Sequence, residues 1–169
     1  NKNFSYSIKA EKKEFDVEFL INKKKYNEKH LSNLINKTFV VGGKLLIDKP
    51  IIVPKNYNLT IKPGSELIFT KKSYIYLNNG NLILNGSDKQ IVLRTNEGSW
   101  GGIYVNNAPG ISRINNTKII SVKNFQHEGI FLTGGVNFYQ SDIEISNTTL
   151  MDNKSEDALN IIKSNFKID

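Results

Sequence analysis

The sequence predicts an all-β protein that winds into a single-stranded parallel β-helix behind a small N-terminal cap. Short segments in which one apolar residue stands on each side of a middle residue recur from residue 39 onwards. They form three families, and each family repeats after about 22 to 28 residues, which indicates a solenoid. Gly, Pro, Asn and Lys separate the segments, as expected for short strands joined by tight turns.

The first 38 residues differ from the rest and predict a cap. Apolar residues alternate with polar ones over residues 4–8 and 15–21, and the charged stretch AEKKE lies between them. This arrangement predicts a β-hairpin. In the following YNEKHLSNLINKTF, apolar residues have helical spacing, so we expect a short helix there. The predicted domains are therefore a capping hairpin and helix at 1–38 and a parallel β-helix at 39–169.

The three families of segments predict three columns of stacked strands. Each strand should lie about 4.8 Å from its counterpart in the next coil. Connections between parallel strands are right-handed almost without exception, so we expect a right-handed coil. The residues expected to stack are Leu45, Leu67 and Ile91 in the first column, Ile51, Ile75 and Ile103 in the second, and Leu59 and Leu82 in the third.

The second half of the chain shows the same pattern with longer turns. GIFL at 129–132 is matched with GIYV at 102–105, and ALNI at 158–161 continues the series. INNTKI is matched with ISNTTL 31 residues later, which makes Asn116 and Asn147 equivalent. Because Asn tolerates left-handed backbone geometry, we expect these two residues to turn the chain rather than to take part in chemistry.

Several stretches of the repeat resemble a known superfamily. LTIKPGSELIF, GNLILNGSDKQIVLRT and SWGGIYV resemble the opening coils of bacterial right-handed parallel β-helix proteins of the pectate-lyase-like superfamily. LTGGVNFYQSDIEISNTTLMDNKSEDALNIIKS is similar to a narrower group found in extracellular or envelope proteins. The resemblance covers about residues 40–169. It implies an extracellular or cell-envelope location, and a superfamily of lyases, hydrolases, epimerases and non-catalytic surface modules.

The same resemblance bears on the C-terminal end of the solenoid. Such solenoids continue for more coils and then close with a cap, whereas this sequence stops at SNFKID. An uncovered last coil would present unpaired strand edges. We therefore expect a β-helix truncated at its C-terminal end, with a continuation of the chain or a partner covering the open end.

Composition and charge narrow the function classes. The 169 residues include no Cys, which excludes thiolate metal sites and a fold held by disulfides. The longest apolar runs are far too short for a membrane span. A net charge of +7 fits an acidic partner such as a polysaccharide, although the abundance of Lys, Asn and Ile also fits codon bias. With only two arginines, specific nucleic-acid recognition is not expected.

Outward-facing residues of the second column give candidate binding residues. Tyr76, Tyr104 and Phe131 are predicted to form an aromatic ladder on which sugar rings or a partner protein could stack. The alternative is that the ladder packs beneath the N-terminal segment or a partner. The predicted outward columns are Ile52, Tyr76, Tyr104, Phe131 and Asn160 on the second face, and Leu46, Ile68 and Val92 on the first, which the cap should cover.

Candidate catalytic residues are fewer and carry a weaker signal. Asp142, Glu144 and Asp157 could supply an acid and a base, or hard oxygen ligands for calcium. Solvated turn carboxylates are the commoner case, and no motif supports a metal or another cofactor. His127 beside Glu128 fits a surface loop better than an acid–base pair, and Trp100 is predicted to anchor a corner of the core.

Two functions remain open at this stage, beside the third option of a purely structural repeat within a larger protein. The first is a non-catalytic extracellular or envelope module that presents a rigid face to carbohydrate or to a partner protein. The second is the N-terminal part of a polysaccharide-active enzyme, a lyase, hydrolase or epimerase. An enzyme should gather charged outward residues of adjacent coils at one groove, whereas a scaffold should scatter them.

Overall fold

The structure, a computed structural model, describes residues 7–10, 13–16 and 38–169. Among these residues there is no helix, and parallel strands form three stacked sheets, which is the architecture of a parallel β-helix. The predicted fold class is therefore confirmed. The helix predicted before residue 38 lies outside the described residues.

Strands of three to six residues alternate with short turns along the whole described chain. In chain order the strands are β1 (Ser7–Ala10), β2 (Lys13–Asp16), β3 (Thr38–Val41), β4 (Lys44–Ile47), β5 (Ile51–Val53), β6 (Asn58–Ile61), β7 (Glu66–Phe69), β8 (Ile75–Asn78), β9 (Leu82–Asn85), β10 (Ile91–Thr95), β11 (Ile103–Asn106), β12 (Ser112–Asn115), β13 (Thr117–Ile120), β14 (Phe125–His127), β15 (Ile130–Leu132), β16 (Gly134–Tyr139), β17 (Ile143–Ser146), β18 (Thr149–Met151), β19 (Asp157–Ile162) and β20 (Phe166–Ile168).

Each coil contributes one strand to each of the three sheets, always in the same order. The first sheet runs β18-β13-β10-β7-β4-β1-β2, the second β19-β16-β11-β8-β5, and the third β20-β17-β12-β9-β6-β3. All pairs between successive coils are parallel. Strands β14 and β15 form a separate antiparallel hairpin that is inserted between β13 and β16.

The described N-terminal residues form a hairpin at 7–10 and 13–16, whereas strands were predicted at 4–8 and 15–21 with AEKKE as the turn between them. β1 and β2 pair antiparallel, with Ser7 opposite Asp16 and Ala10 opposite Lys13. β1 also pairs antiparallel with β4, placing Ile8 opposite Ile47. The hairpin therefore extends the first sheet and occupies an edge that would otherwise expose unpaired backbone groups.

The second and third columns of the core have the predicted register. Ile75 lies between Ile51 and Ile103 in the second sheet. In the third sheet Leu59 lies opposite Leu82. These side chains point into the coil, where they join the other inward residues of the three sheets in one buried apolar core. Burial of this continuous column is the main source of stability in a solenoid.

The first column was predicted with a register error of two residues. Leu67 lies between Leu45 and Leu93, so Ile91 is not its counterpart and instead lies opposite Thr117. Alternation determines which face a residue occupies, but it does not distinguish shifts of two. Val92 faces outward as predicted, but the same error gave it the wrong neighbour on that face.

The outer face of the first sheet is consequently less apolar than expected. Arg94, not Val92, lies beside Ile68, while Val92 lies opposite Glu66. The Arg94 guanidinium pairs with Glu66 at 2.6 Å, and Lys44 lies 3.5 Å from the same carboxylate. Ion pairing thus replaces part of the predicted apolar patch.

In the second half, the match of GIFL to GIYV is wrong. Val136 of β16 lies opposite Ile103, and the GIFL segment belongs to the inserted hairpin. Asn137 therefore occupies the outward position beside Tyr104 that was predicted for Phe131. Asn160 is the last member of this column, as predicted, but its neighbour is Asn137 and not Phe131. A hairpin strand and a coil strand share the same apolar alternation, so the sequence pattern did not separate them.

Residues with left-handed backbone geometry line all three corners of the coil, and Ser121 and Asp152 hold this position between the first and second sheets. Asn116 and Asn147 have φ of 46° and 48°, which confirms that they turn the chain at equivalent positions. A longer column of this kind, which the sequence analysis missed, turns the chain from the second sheet to the third. Its members are Asn56, Asn79, Asn107, Gln140 and Lys163.

Candidate functional site

The β14–β15 hairpin leaves the corner between the first and second sheets and lies over the second sheet. Its strands pair with Phe125 opposite Leu132, Gln126 opposite Phe131 and His127 opposite Ile130. Alternation gives the hairpin two faces. Phe125 is fully buried, whereas Gln126 and Phe131 are exposed on the other face.

The underside of the hairpin covers the aromatic ladder of the second sheet. Tyr76 and Tyr104 stack with 5.5 Å between ring centroids, and Phe125 meets Tyr104 edge-on at 5.3 Å. Tyr104 is only 7% exposed. The prediction that Tyr104 forms an exposed binding face is therefore wrong. The ladder is covered, but by an inserted hairpin and not by the N-terminal segment or a partner, which the alternative had named. Tyr76 is half-buried in the same cluster.

A hydrogen bond ties the hairpin to the coil. The Tyr74 hydroxyl lies 2.6 Å from Nδ1 of His127, and the His127 ring also packs on Tyr76 at 4.9 Å. Burial, with the nearby Glu128 carboxylate, raises the pKa of Tyr74, so the phenol stays protonated at neutral pH. His127 was predicted to lie in a surface loop, but its side chain is only 10% exposed and serves to hold the hairpin down.

A groove lies between the hairpin and the corner that joins the first and second sheets. Its volume is about 660 Å³. We call it the lysine groove, because four ammonium-bearing side chains line it. The lining includes Lys71, Lys72, Lys123 and Lys154 on the corner, and Gln126 and Phe131 on the hairpin.

The four lysines come from the same corner of three coils. Lys71 and Lys72 follow β7, Lys123 follows β13 and Lys154 follows β18. Backbone hydrogen bonds stack these turns: Lys123 N donates to the oxygen of Trp100 at 2.9 Å, and Lys154 N donates to that of Val122 at 2.6 Å. The hydrogen-bonded turns of this corner thus form one wall of the groove, with one turn per coil.

The lysine groove has a strongly positive character. No Asp or Glu is among the described residues that line it. Within the part of the chain that the structure describes, none of its four lysines forms an ion pair. Lys71, Lys72 and Lys154 are exposed, and Lys123 is half-buried. Like charges at this density favour binding of an anion.

Trp100 lies behind the groove and supports it from the core. It is fully buried, as predicted for a corner anchor. Its indole Nε1 donates to the backbone oxygen of Ile120 at 2.9 Å. The next residue, Gly101, lines the groove, where its backbone N donates to Ser73 O at 2.9 Å.

The three candidate catalytic carboxylates are not among the residues that line the lysine groove, and they belong to two different sheets. Glu144 is on β17 of the third sheet and pairs with Arg113 at 2.8 Å. Asp142 precedes the same strand and accepts a hydrogen bond from the backbone N of Asn165 at 2.8 Å, which holds its pKa below the ordinary value. Asp157 begins β19 in the second sheet. Their catalytic role stays a prediction.

The described residues give two further findings about possible sites. They contain no group of three or more His, Asp or Glu side chains that could hold a metal ion. None of their segments forms a helix with the length and apolar character that a bilayer crossing requires.

Comparison of the chain with protein-family models, with curated proteins and with solved structures gives no match.

Proposed function

We propose that the chain is a non-catalytic binding module of the cell surface or envelope that holds an acidic carbohydrate in the lysine groove. The observation that carries the proposal is the convergence of four lysines on a groove with no described carboxylate in its lining. The net charge of +7 adds a long-range attraction for an acidic ligand. The cell-surface location is supported by the resemblance of the repeat to surface β-helix proteins.

The composition of the lining favours carbohydrate over nucleic acid. Phe131 and the half-buried Tyr74 offer ring surface to the apolar faces of sugars. Sequence-independent binding of single-stranded nucleic acid uses a series of stacked bases on several exposed aromatic rings, whereas Tyr104 is buried here. Neither Arg94 nor Arg113 lines the groove, so the paired guanidinium contacts of specific phosphate or base recognition are not available there.

The frame of the groove favours binding without large rearrangement. One wall is a hydrogen-bonded corner of the solenoid and the other is a hairpin held by Phe125 and His127. A wall that is already ordered loses little conformational entropy when a ligand binds. The flexible parts of the site are the lysine side chains themselves.

The alternative, a polysaccharide-active enzyme, uses a different part of the molecule. Its candidates Asp142 and Glu144 lie on the third sheet and already bind Asn165 and Arg113, while Asp157 lies on the second sheet. Hydrolysis of a glycosidic bond uses two carboxyl groups on either side of that bond, and the lysine groove has no such pair in its described lining. Charged residues do gather at this groove, as expected of an enzyme, and a lysine could serve as the base of a lyase. A lysine base needs burial to lose its proton, whereas three of the four lysines are exposed, so binding is the function that this site supports better. A partner protein with an acidic surface is the other ligand to be tested.

Binding can be tested with immobilised uronate-bearing, sulfated and neutral glycans. We expect the acidic glycans to retain the protein, and retention to fall as salt rises, because exposed charge pairs are screened. The double variant Lys72→Gln/Lys123→Gln should bind about tenfold more weakly, since each exposed charge contact contributes up to about 1 kcal/mol. The control Lys55→Gln/Lys89→Gln removes the same charge outside the groove lining and should change affinity by less than about twofold.

Two results would overturn the proposal. One is that no acidic glycan binds the wild-type protein, or that only an acidic protein does. The other is that both double variants lose affinity equally, which would indicate a general charge effect.

The enzyme alternative is tested by incubation with the same glycans, followed by detection of new reducing ends or unsaturated products. We expect no turnover. Turnover that Asp142→Ala, Glu144→Ala or Asp157→Ala abolishes would favour the enzyme instead.

A further inference from the structure

We infer that Phe131 and its cross-strand neighbour Gln126 select the ligand by its sugar ring, while the lysines bind only its negative charge. The inference rests on the proposed function. It assigns different recognition tasks to the two walls of the lysine groove, and it makes Phe131 the residue that determines specificity.

The exposure of Phe131 is the first observation. This ring is 61% exposed, whereas Phe125 of the same hairpin is fully buried and provides the hairpin's packing. Gln126 lies directly opposite Phe131, so an amide and an aromatic ring stand side by side on the outer face. An amide can hydrogen-bond hydroxyl groups, and an aromatic ring can stack on the C–H face of a sugar.

The hairpin that carries Phe131 is held in place by packing and a hydrogen bond, which is the second observation. Beneath it, Phe125 packs against Tyr74 with 5.2 Å between ring centroids, and against Tyr104 with 5.3 Å. His127, two residues along the same strand from Phe125, is hydrogen-bonded to Tyr74. The outer face of the hairpin is therefore a fixed platform and not a loose loop tip.

The two walls together define the chemistry of the ligand. Acid groups on one edge of a chain would face Lys72, Lys123 and Lys154, and the apolar ring faces would lie towards Phe131. Successive coils are about 4.8 Å apart, so Lys123 and Lys154 lie at neighbouring levels along the solenoid axis. A linear polymer of uronic acids laid along this axis meets both requirements, whereas an inorganic polyanion meets only the first.

The test compares two probes of similar charge, a uronic acid oligomer and inorganic polyphosphate of the same number of units. We expect Phe131→Ala to weaken uronate binding about twofold to tenfold, the amount expected for a lost aromatic contact, and to leave polyphosphate binding unchanged. Phe131→Tyr should bind uronate like the wild type, because the ring is retained. Ile111→Ala removes another exposed apolar side chain outside the groove lining and should change neither affinity.

The outcomes separate this inference from the proposed function. If Lys72→Gln/Lys123→Gln weakens uronate binding but Phe131→Ala weakens both probes equally or neither, the inference is overturned and the proposed function stands. If wild-type protein binds no uronate at all, the proposed function itself fails. Thermal unfolding of Phe131→Ala should match that of the wild type, and Phe131→Leu, which keeps apolar bulk without a ring, should repeat the selective loss.

Discussion

The indole ring of Trp100 lies parallel to the ring of Phe69 in the preceding coil, with 4.1 Å between the ring centroids and 13° between the planes. Phe69 ends strand β7 and Trp100 follows strand β10 of the next coil, so this contact joins consecutive coils inside the core. The indole also donates a hydrogen bond to Ile120 at 2.9 Å. One side chain thus links three successive coils.

Trp100→Ala should lower the free energy of unfolding by about 3–5 kcal/mol, because it leaves a large cavity and removes the hydrogen bond to Ile120. Trp100→Phe keeps the stacking partner of Phe69 and should lose less. Urea unfolding followed by circular dichroism measures both. A loss below about 1 kcal/mol for the alanine variant would contradict the anchoring role.

Gly80→Ala should destabilise the protein by about 1–3 kcal/mol, because the added Cβ would overlap the backbone oxygen of Tyr57. Gly110→Ala is a matched control, since its Cβ would meet only the flexible side chain of Asn81, at 3.1 Å. The control should lose less than about 1 kcal/mol. Equal losses in urea unfolding would show that the close approach at Gly80 can relax.

Asn107 tests the column of left-handed residues. Its φ is 51°, and its backbone N donates to the Tyr139 oxygen of the next coil at 3.0 Å. Asn107→Gly should leave stability nearly unchanged, whereas Asn107→Val should lower it by about 1–2 kcal/mol, because a branched side chain disfavours this geometry. Thermal unfolding of the two variants distinguishes the cases. A valine variant as stable as the glycine variant would argue against backbone strain.

Tyr104→Ala should loosen the β14–β15 hairpin, because Tyr104 is buried beneath it. The substitution removes a buried ring from beneath Phe125, with an expected loss of about 3 kcal/mol. Hydrogen exchange should then accelerate at residues 125–132 more than in the coils. Unchanged protection of the hairpin would show that His127 and Tyr74 hold it without Tyr104.

Glu66 gives a prediction about pH. The hydrogen bond from Arg94, with the charges of Arg94 and Lys44, holds the pKa of Glu66 below its ordinary value of 4.5. A carboxyl group with a lowered pKa stabilises the fold above that ordinary value and loses this contribution as pH falls towards the lowered pKa. Glu66→Gln should therefore be less stable than wild type at neutral pH, and the difference should shrink in urea titrations below pH 4.5. A pH-independent difference would point to packing alone.

The sequence predicted most of the coil because apolar spacing reports directly on which side chains stack. In residues 96–110, Ile103 and Val105 are the only two apolar residues with one residue between them, so the pattern left a single partner for Ile75. In the first column, Ile91 and Leu93 are both apolar and lie 24 and 26 residues after Leu67. Alternation with a period of two therefore left a shift of two residues undetected.

The candidate site was less accessible to sequence reasoning for a geometric reason. Lys72, Lys123 and Lys154 are far apart in the chain, and only the correct coil register brings their turns into one corner. That register was lost in the second half, because the hairpin strand with Phe131 was taken for a coil strand. Detecting that GGVNFY at 134–139 continues the second sheet would have revealed both the insertion and the groove.

The insertion of the β14–β15 hairpin leaves the coil on either side intact. β13 before it pairs with β10 and β18, and β16 after it pairs with β11 and β19, all in parallel register. Lengthening such a turn costs little, because the entropy of closing a loop grows slowly with its length. Hairpins of other sequence could therefore be exchanged at this corner, by evolution or by grafting, while the solenoid stayed the same; under the proposed function, such an exchange would change the ligand preference.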